Sequence, residues 1–194
     1  MSDVLADFTD NPGMLPPCQL ALWLACEAGD PHTTVTALVD GASITAANRM
    51  GWNALHRACM TGDERVMQAL LVSDGAEAAL CAGDKEGYTP LHIAAGSGHA
   101  GAVRRLLAAG ASASAASSHG STPMHAACLA LAEVAADGGE ASLEKQERLF
   151  GAVLALLSAG GLLEATDATG ADPVQALTAE QRTTLLERVR AAAA

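Results

Sequence analysis

The chain has 194 residues, half of them hydrophobic but only 3% aromatic, enough for one large domain or two small ones. Its net charge of −11, from 22 acidic against 11 basic residues, excludes the basic footprint that phosphate binding needs. Nucleic acid is therefore not an expected partner, whereas a basic protein surface would be steered towards it. No apolar run approaches the length of a membrane span, and no basic-then-apolar leader opens the chain, so the expectation is a cytoplasmic protein, with the nucleus also open to it.

In chain order, residues 1–17 hold Asp3, Asp7, Asp10, Pro12, Gly13, Pro16 and Pro17 and read as an acidic arm of weak order. Leu22-Trp23-Leu24-Ala25-Cys26 then starts a helical pattern that passes Gly29-Asp30 and stops near Gly41-Ala42. Asn53-Ala54-Leu55-His56-Arg57-Ala58 starts another, through Gly62-Asp63 and Leu70-Leu71 to Gly75-Ala76. Thr89-Pro90-Leu91-His92-Ile93-Ala94 follows, with Gly98-His99, Val103 to Leu107 and Gly110-Ala111 at matching offsets. Thr122-Pro123-Met124-His125-Ala126-Ala127 repeats it 33 residues on. Pro90 suits a helix start, where its missing N–H costs nothing, and Thr89 suits the capping position before it. Gly98 and Gly110 stand where helices end and positive φ is needed. A period near 33 marks stacked helical units, because none can bury its apolar face alone.

The fourth unit is longer. About 17 extra residues separate His125 from Gly160 compared with the unit before. Cys128 to Ala136 continues a helix-forming run, Asp137-Gly138-Gly139 breaks it, and Ser142 caps a second run from Leu143 to Ser158. Either both helices lengthen into a protruding αα-hairpin near 132–148, or a long flexible loop joins normal helices. The Glu, Lys, Gln, Leu and Ala content favours the hairpin. Gly170 and Asp172-Pro173-Val174-Gln175-Ala176 open a last unit, which degenerates into Leu185 to Val189.

The hexapeptides at 89–94 and 122–127 resemble the ankyrin repeat, whose signature is Thr-Pro-Leu-His-x-Ala. The resemblance implies an all-α repeat fold, a solenoid of stacked helix-turn-helix units with short β-turn or hairpin tips. About five units fit, at 18–46, 47–82, 83–115, 116–165 and 166–194, forming one domain over 18–194 with degenerate terminal caps. The resemblance also predicts that His56, His92 and His125 each bond to the residue three before, namely Asn53, Thr89 and Thr122. That role is structural rather than catalytic or metal-binding.

Cys26, Cys59 and Cys128 share one slot of the repeat, normally a small buried residue, where Cys acts as a small hydrophobe. Equivalent slots in stacked units lie roughly 10 Å apart, too far for a disulfide. Cys81 falls in a predicted turn and is the candidate reactive thiol. Gly96-Ser97-Gly98-His99-Ala100-Gly101 spells a dinucleotide fingerprint, but it links two helices, with no strand before it to form the required strand-to-helix turn. No cofactor, metal site or catalytic motif is expected.

Function therefore falls to a surface. In ankyrin proteins partners bind the concave side, formed by the turn tips and first helices. Trp52 and Tyr88 occupy the same slot on adjacent tips, and such residues dominate interface energetics. The expected partner-binding set is Arg49, Met50, Trp52, Lys85, Glu86, Tyr88 and His119, on a monomer that acts as adaptor, scaffold, inhibitor or assembly chaperone. The alternatives are that the two aromatics only steady neighbouring tips, and that the chain is a regulatory subunit or docking platform in a larger enzyme complex.

Overall fold

The computed structural model describes residues 16–135 and 140–192, with side chains given except at residues 135, 140 and 141. The expected arm lies outside the described residues apart from its last two prolines. Pro16 is the cap of the first helix and Pro17 is its first residue.

Among the described residues the chain is all-helical. Paired helices are α1 (Pro17–Ala28) with α2 (Pro31–Val39) and α3 (Ala54–Thr61) with α4 (Glu64–Leu71). A short α5 (Ala76–Cys81) follows, then α6 (Pro90–Gly96) with α7 (Ala100–Ala108) and α8 (Pro123–Ala135) with α9 (Glu140–Ser158). A 3-10 turn (Pro173–Ala176) and α10 (Ala179–Ala192) close the stack. The first helices of the units pack in a continuous inner layer, α1 on α3, α3 on α6, α6 on α8 and α8 on the 3-10 turn. The second helices form an outer layer, α2 on α4, α4 on α7 and α7 on α9. None of the described helices is long and apolar enough to cross a membrane.

Local chemistry sets the boundaries. Gly29 and Gly62 end α1 and α3 with φ of 67° and 74°, each sending its N–H back to a carbonyl four residues earlier. The next residue restarts the chain. Asp30 accepts the N–H groups of His32 and Thr33, and Asp63 those of Arg65 and Val66, satisfying donors that a helix start leaves orphaned. In the third unit His99 takes this place, and its Nε2 reaches 3.2 Å back to the carbonyl of Met60 in the preceding unit. Partial burial holds the His99 imidazole below its ordinary value.

Between the layers lies one core of aliphatic and small residues, including Leu22, Leu55, Leu70, Leu91, Leu106 and Leu156. Cys26, Cys59 and Cys128 are all fully buried in it. Burial pushes the thiols of Cys26 and Cys128 up to about 12, and that of Cys59 up as well, so they stay protonated and act as small apolar groups.

Three expectations need correction. Gly75 does not end the second unit as Gly110 ends the third; with φ 83° it starts the extra turn α5. Cys81 is the last residue of α5 rather than part of a turn, and it is exposed. Ser142 does not cap the second helix of the fourth unit, since α9 starts at Glu140. Its hydroxyl instead donates to the Val134 carbonyl of α8 at 2.6 Å, tying the long helices together.

The closing helix is anchored by polar contacts. Thr178 and Gln181 exchange bonds across the start of α10, the Thr178 N–H to Gln181 Oε1 at 3.0 Å and the Gln181 N–H to Thr178 Oγ1 at 3.2 Å. The buried Gln181 amide then donates to the Leu131 carbonyl of α8 at 2.6 Å. Arg188 forks onto both oxygens of Glu147 and lies 4.6 Å over the Phe150 ring.

Candidate functional site

Each turn tip is built by one side chain. Asn48, Asp84, Ser117 and Asp167 each accept the N–H groups two and four residues ahead. These Asx and Ser turns hold the loops without a strand. A bond from the Thr169 hydroxyl holds the Asp167 carboxyl below its usual value. Successive tips are then joined by main-chain bonds. Lys85 N–H donates to Met50 O at 3.0 Å, Ser118 N–H to Glu86 O at 2.8 Å, and Ala168 N–H to His119 O at 2.9 Å. The glycine at the tip permits this close approach. At Gly51, with φ 85°, a Cβ would sit 2.8 Å from the Lys85 nitrogen.

The slot histidines lock tips to helices. His92 Nδ1 accepts the Thr89 N–H at 3.0 Å and lies 2.9 Å from the Thr89 hydroxyl, so Nε2 carries the proton and donates to Ser121 O of the next tip at 2.9 Å. His125 repeats this with Thr122 and Ala171 O. His56 does so with the Asn53 N–H and Tyr88 O. Asn53 stands in place of Thr and its amide makes a second connection. Its Nδ2 donates to the Ala79 carbonyl of α5 at 2.9 Å, securing the inserted turn. Burial holds His56 and His92 below the ordinary imidazole value, which keeps them neutral at neutral pH.

The residues expected to bind a partner lie on adjoining tips in two different settings. Arg49, Met50, Lys85, Glu86 and His119 are exposed. Trp52 and Tyr88 are half-buried and face the stack. The Trp52 indole donates to Asp84 Oδ2 of the next tip at 3.2 Å, and its ring stacks on His56 with centroids 6.1 Å apart. Tyr88 meets His92 edge-on at 5.4 Å. Each aromatic thus buttresses the histidine of its own unit while staying partly open to solvent.

Beside the tips, the inner helices of the second to fourth units and the 3-10 turn of the fifth border an apolar groove of about 490 Å³. Its sides include Met60 of α3, Ile93 of α6 and Leu129 of α8, with Tyr88 at the rim. Leu129 is 56% and Met60 45% exposed. Met60, Gly96 and Leu129 all stand four residues after a slot histidine. Glycine in the middle unit removes a side chain where its neighbours carry long ones, and the groove results. The repeat signature does not single out these residues, although the offset from each slot histidine marks them. Glu133, Asp167 and Asp172 supply the acidic lining, and no Lys or Arg side chain borders the groove among the described residues.

Two family models, both described as ankyrin repeats, match the chain, one of three copies over residues 6–80 and one of many copies over residues 71–127. Alpha-latrotoxin-Lh1a of Latrodectus hasselti is 43% identical over 75 residues, 38% of this chain and 5% of that protein. Ankyrin repeat and SOCS box protein 3 of Homo sapiens is 32% identical over 101 residues, covering 52% of this chain and 20% of that protein. Human transient receptor potential cation channel subfamily A member 1 is 35% identical over 102 residues, 53% and 9% of the respective chains. The chain thus spans only a minor part of these relatives, and the likeness is one of shared repeats.

Proposed function

We propose that this chain, which belongs to the ankyrin-repeat family, acts as a non-catalytic module gripping a partner protein on its inner-helix and tip face, the concave side of an ankyrin stack. Ankyrin repeats are protein–protein interaction modules, and the finer role falls among adaptor, scaffold, inhibitor and assembly chaperone. The observation that carries the reading is the uncovered apolar groove beside a ridge of exposed tip side chains, with Leu129 more than half in water. The slot histidines support a non-catalytic role, because both ring nitrogens of each are committed to the fold. Tip residues Arg49, Met50, Lys85, Glu86 and His119 would frame the contact, with Trp52 and Tyr88 contributing the parts open to solvent.

Affinity purification with quantitative mass spectrometry tests this with the full chain, a Leu129→Ser variant and a Met50→Ala/Lys85→Ala/Glu86→Ala variant. These positions are exposed, so melting temperatures should hold within experimental scatter. The expected result is a stoichiometric partner whose recovery falls in both variants. Undiminished recovery in both would refute binding through this face.

A further inference from the structure

Charge and apolar surface are distributed unevenly along the inner face. On the inner helices of the first two units, Arg57 pairs with Glu27 at 2.6 Å. From the end of the second unit onward the inner helices present apolar side chains at Met60, Ile93 and Leu129. Three carboxylates, Glu133, Asp167 and Asp172, border the groove, with no cationic side chain on it among the described residues. Asp167 and Asp172 are anchored in place by the backbone groups they cap, and Asp167 is held below the usual carboxylate range, so it stays ionised. Exposed Glu133 stands one turn beyond Leu129 on α8.

From this juxtaposition, and resting on the concave-face reading above, we infer that the groove takes a linear segment of a partner protein that couples an apolar anchor with a lysine or arginine. The anchor lies over Gly96, between Met60 and Leu129. The cation lies against the carboxylates that border the groove, Glu133 one turn from Leu129 among them. A groove of about 490 Å³ falls within the usual range for a site enclosing a few side chains. An acidic occupant would meet like charge, which argues against the chain's own N-terminal residues, with Asp3, Asp7 and Asp10. A Cβ at Gly96 would make only ordinary contacts with Ala126, at 3.6 Å and beyond, so a side chain can be introduced there to fill the groove.

The test is selection of a phage-displayed random dodecapeptide library on the immobilised full chain, followed by fluorescence titration of the enriched peptides. The expected peptides place Leu, Ile, Met or Phe within a few residues of Lys or Arg. Their affinity should fall about ten-fold or more in Gly96→Leu, which fills the groove with the side chain the fourth unit carries at that slot. It should fall about ten-fold in Glu133→Lys and weaken in high salt, as a cation at a carboxylate rim requires. Circular dichroism and melting of both variants establish that they fold. If Gly96→Leu does not fold, Leu129→Ser carries the same arm at an exposed position. Apolar peptides without a basic preference, still weakened by Gly96→Leu, would overturn this inference and leave the concave-face reading intact. Enrichment of acidic apolar peptides would point to residues 1–15 as occupant and overturn it. So would a dimer seen by light scattering and lost in Leu129→Ser. Peptides indifferent to every groove variant would overturn it as well, and the partner-recovery experiment would then decide the broader reading separately.

Discussion

Replacing His92 with Ala should weaken the stack far more than truncating the same slot in the last unit. The ring is 1% exposed and spans two units through Thr89 at 3.0 Å and Ser121 at 2.9 Å. Losing these two bonds costs about 1 kcal/mol each. The cavity left by the ring adds about 1–2 kcal/mol. Ser121 O is not orphaned, because it also accepts the Ser117 N–H, so no further desolvation cost arises there. The sum is about 3 kcal/mol, equivalent to roughly 6–12 °C in melting temperature for a chain of this size. Gln175 occupies the same slot in the fifth unit, exposed, and its side chain donates only to Asp172 at 3.1 Å. With no following tip to reach among the described residues, Gln175→Ala should cost under about 0.5 kcal/mol. Urea unfolding by circular dichroism measures both. Hydrogen exchange at residues 117–121 should rise in His92→Ala, since stacked repeats can open locally. A loss below about 1 kcal/mol, or one equal to that of Gln175→Ala, would refute the bridging role.

Other consequences are separable. Because burial depresses His56 and His92 in the folded state, their contribution is fully present above the ordinary imidazole value near 6.5. It is lost as pH falls from there through the native values, since the unfolded chain takes the protons first. Melting temperature should be flat in this respect from pH 7 to 8 and fall below about pH 6.5, and the histidine component should shrink in His92→Ala. Gly51→Ala places a Cβ 2.8 Å from Lys85 N at φ 85°, which breaks the tip-to-tip bond and should cost about 2–3 kcal/mol. Gly110→Ala, at φ 99° in open space, should cost about 1 kcal/mol; equal costs by urea titration would show that the tip contact contributes nothing. Iodoacetamide at pH 8 should alkylate exposed Cys81 in the native protein and reach Cys26, Cys59 and Cys128 only in denaturant.

Much of the fold was legible because its signals are local and repeat. The pairing of His92 with Thr89, three residues apart, and the burial of Cys26, Cys59 and Cys128 follow from position within a unit. Any chain with that hexapeptide and that period stacks the same way. Thr178 and Gln181 cap α10 by another local rule, Ser/Thr-x-x-Glu/Gln, which the repeat pattern does not single out. The local signals were weaker where one unit departs from its neighbours. The extra residues after Gly75 showed as a changed spacing, but nothing local revealed that Asn53 would hold them as a helical turn through Ala79.

The candidate site divides along the same line. The sequence by itself determined the repeat, the tips and which residues crown them, because each depends on residues a few positions apart. Only the tertiary structure decided how those residues are used. Trp52 turns to Asp84, 32 residues away, and is half withdrawn from the surface. Met60, Gly96 and Leu129 form a groove only when three inner helices lie side by side. Glu133 of α8 borders the same groove as Asp167 and Asp172 of the fifth unit for the same reason. Exposure and charge clustering belong to contacts between units, and stacking sets those.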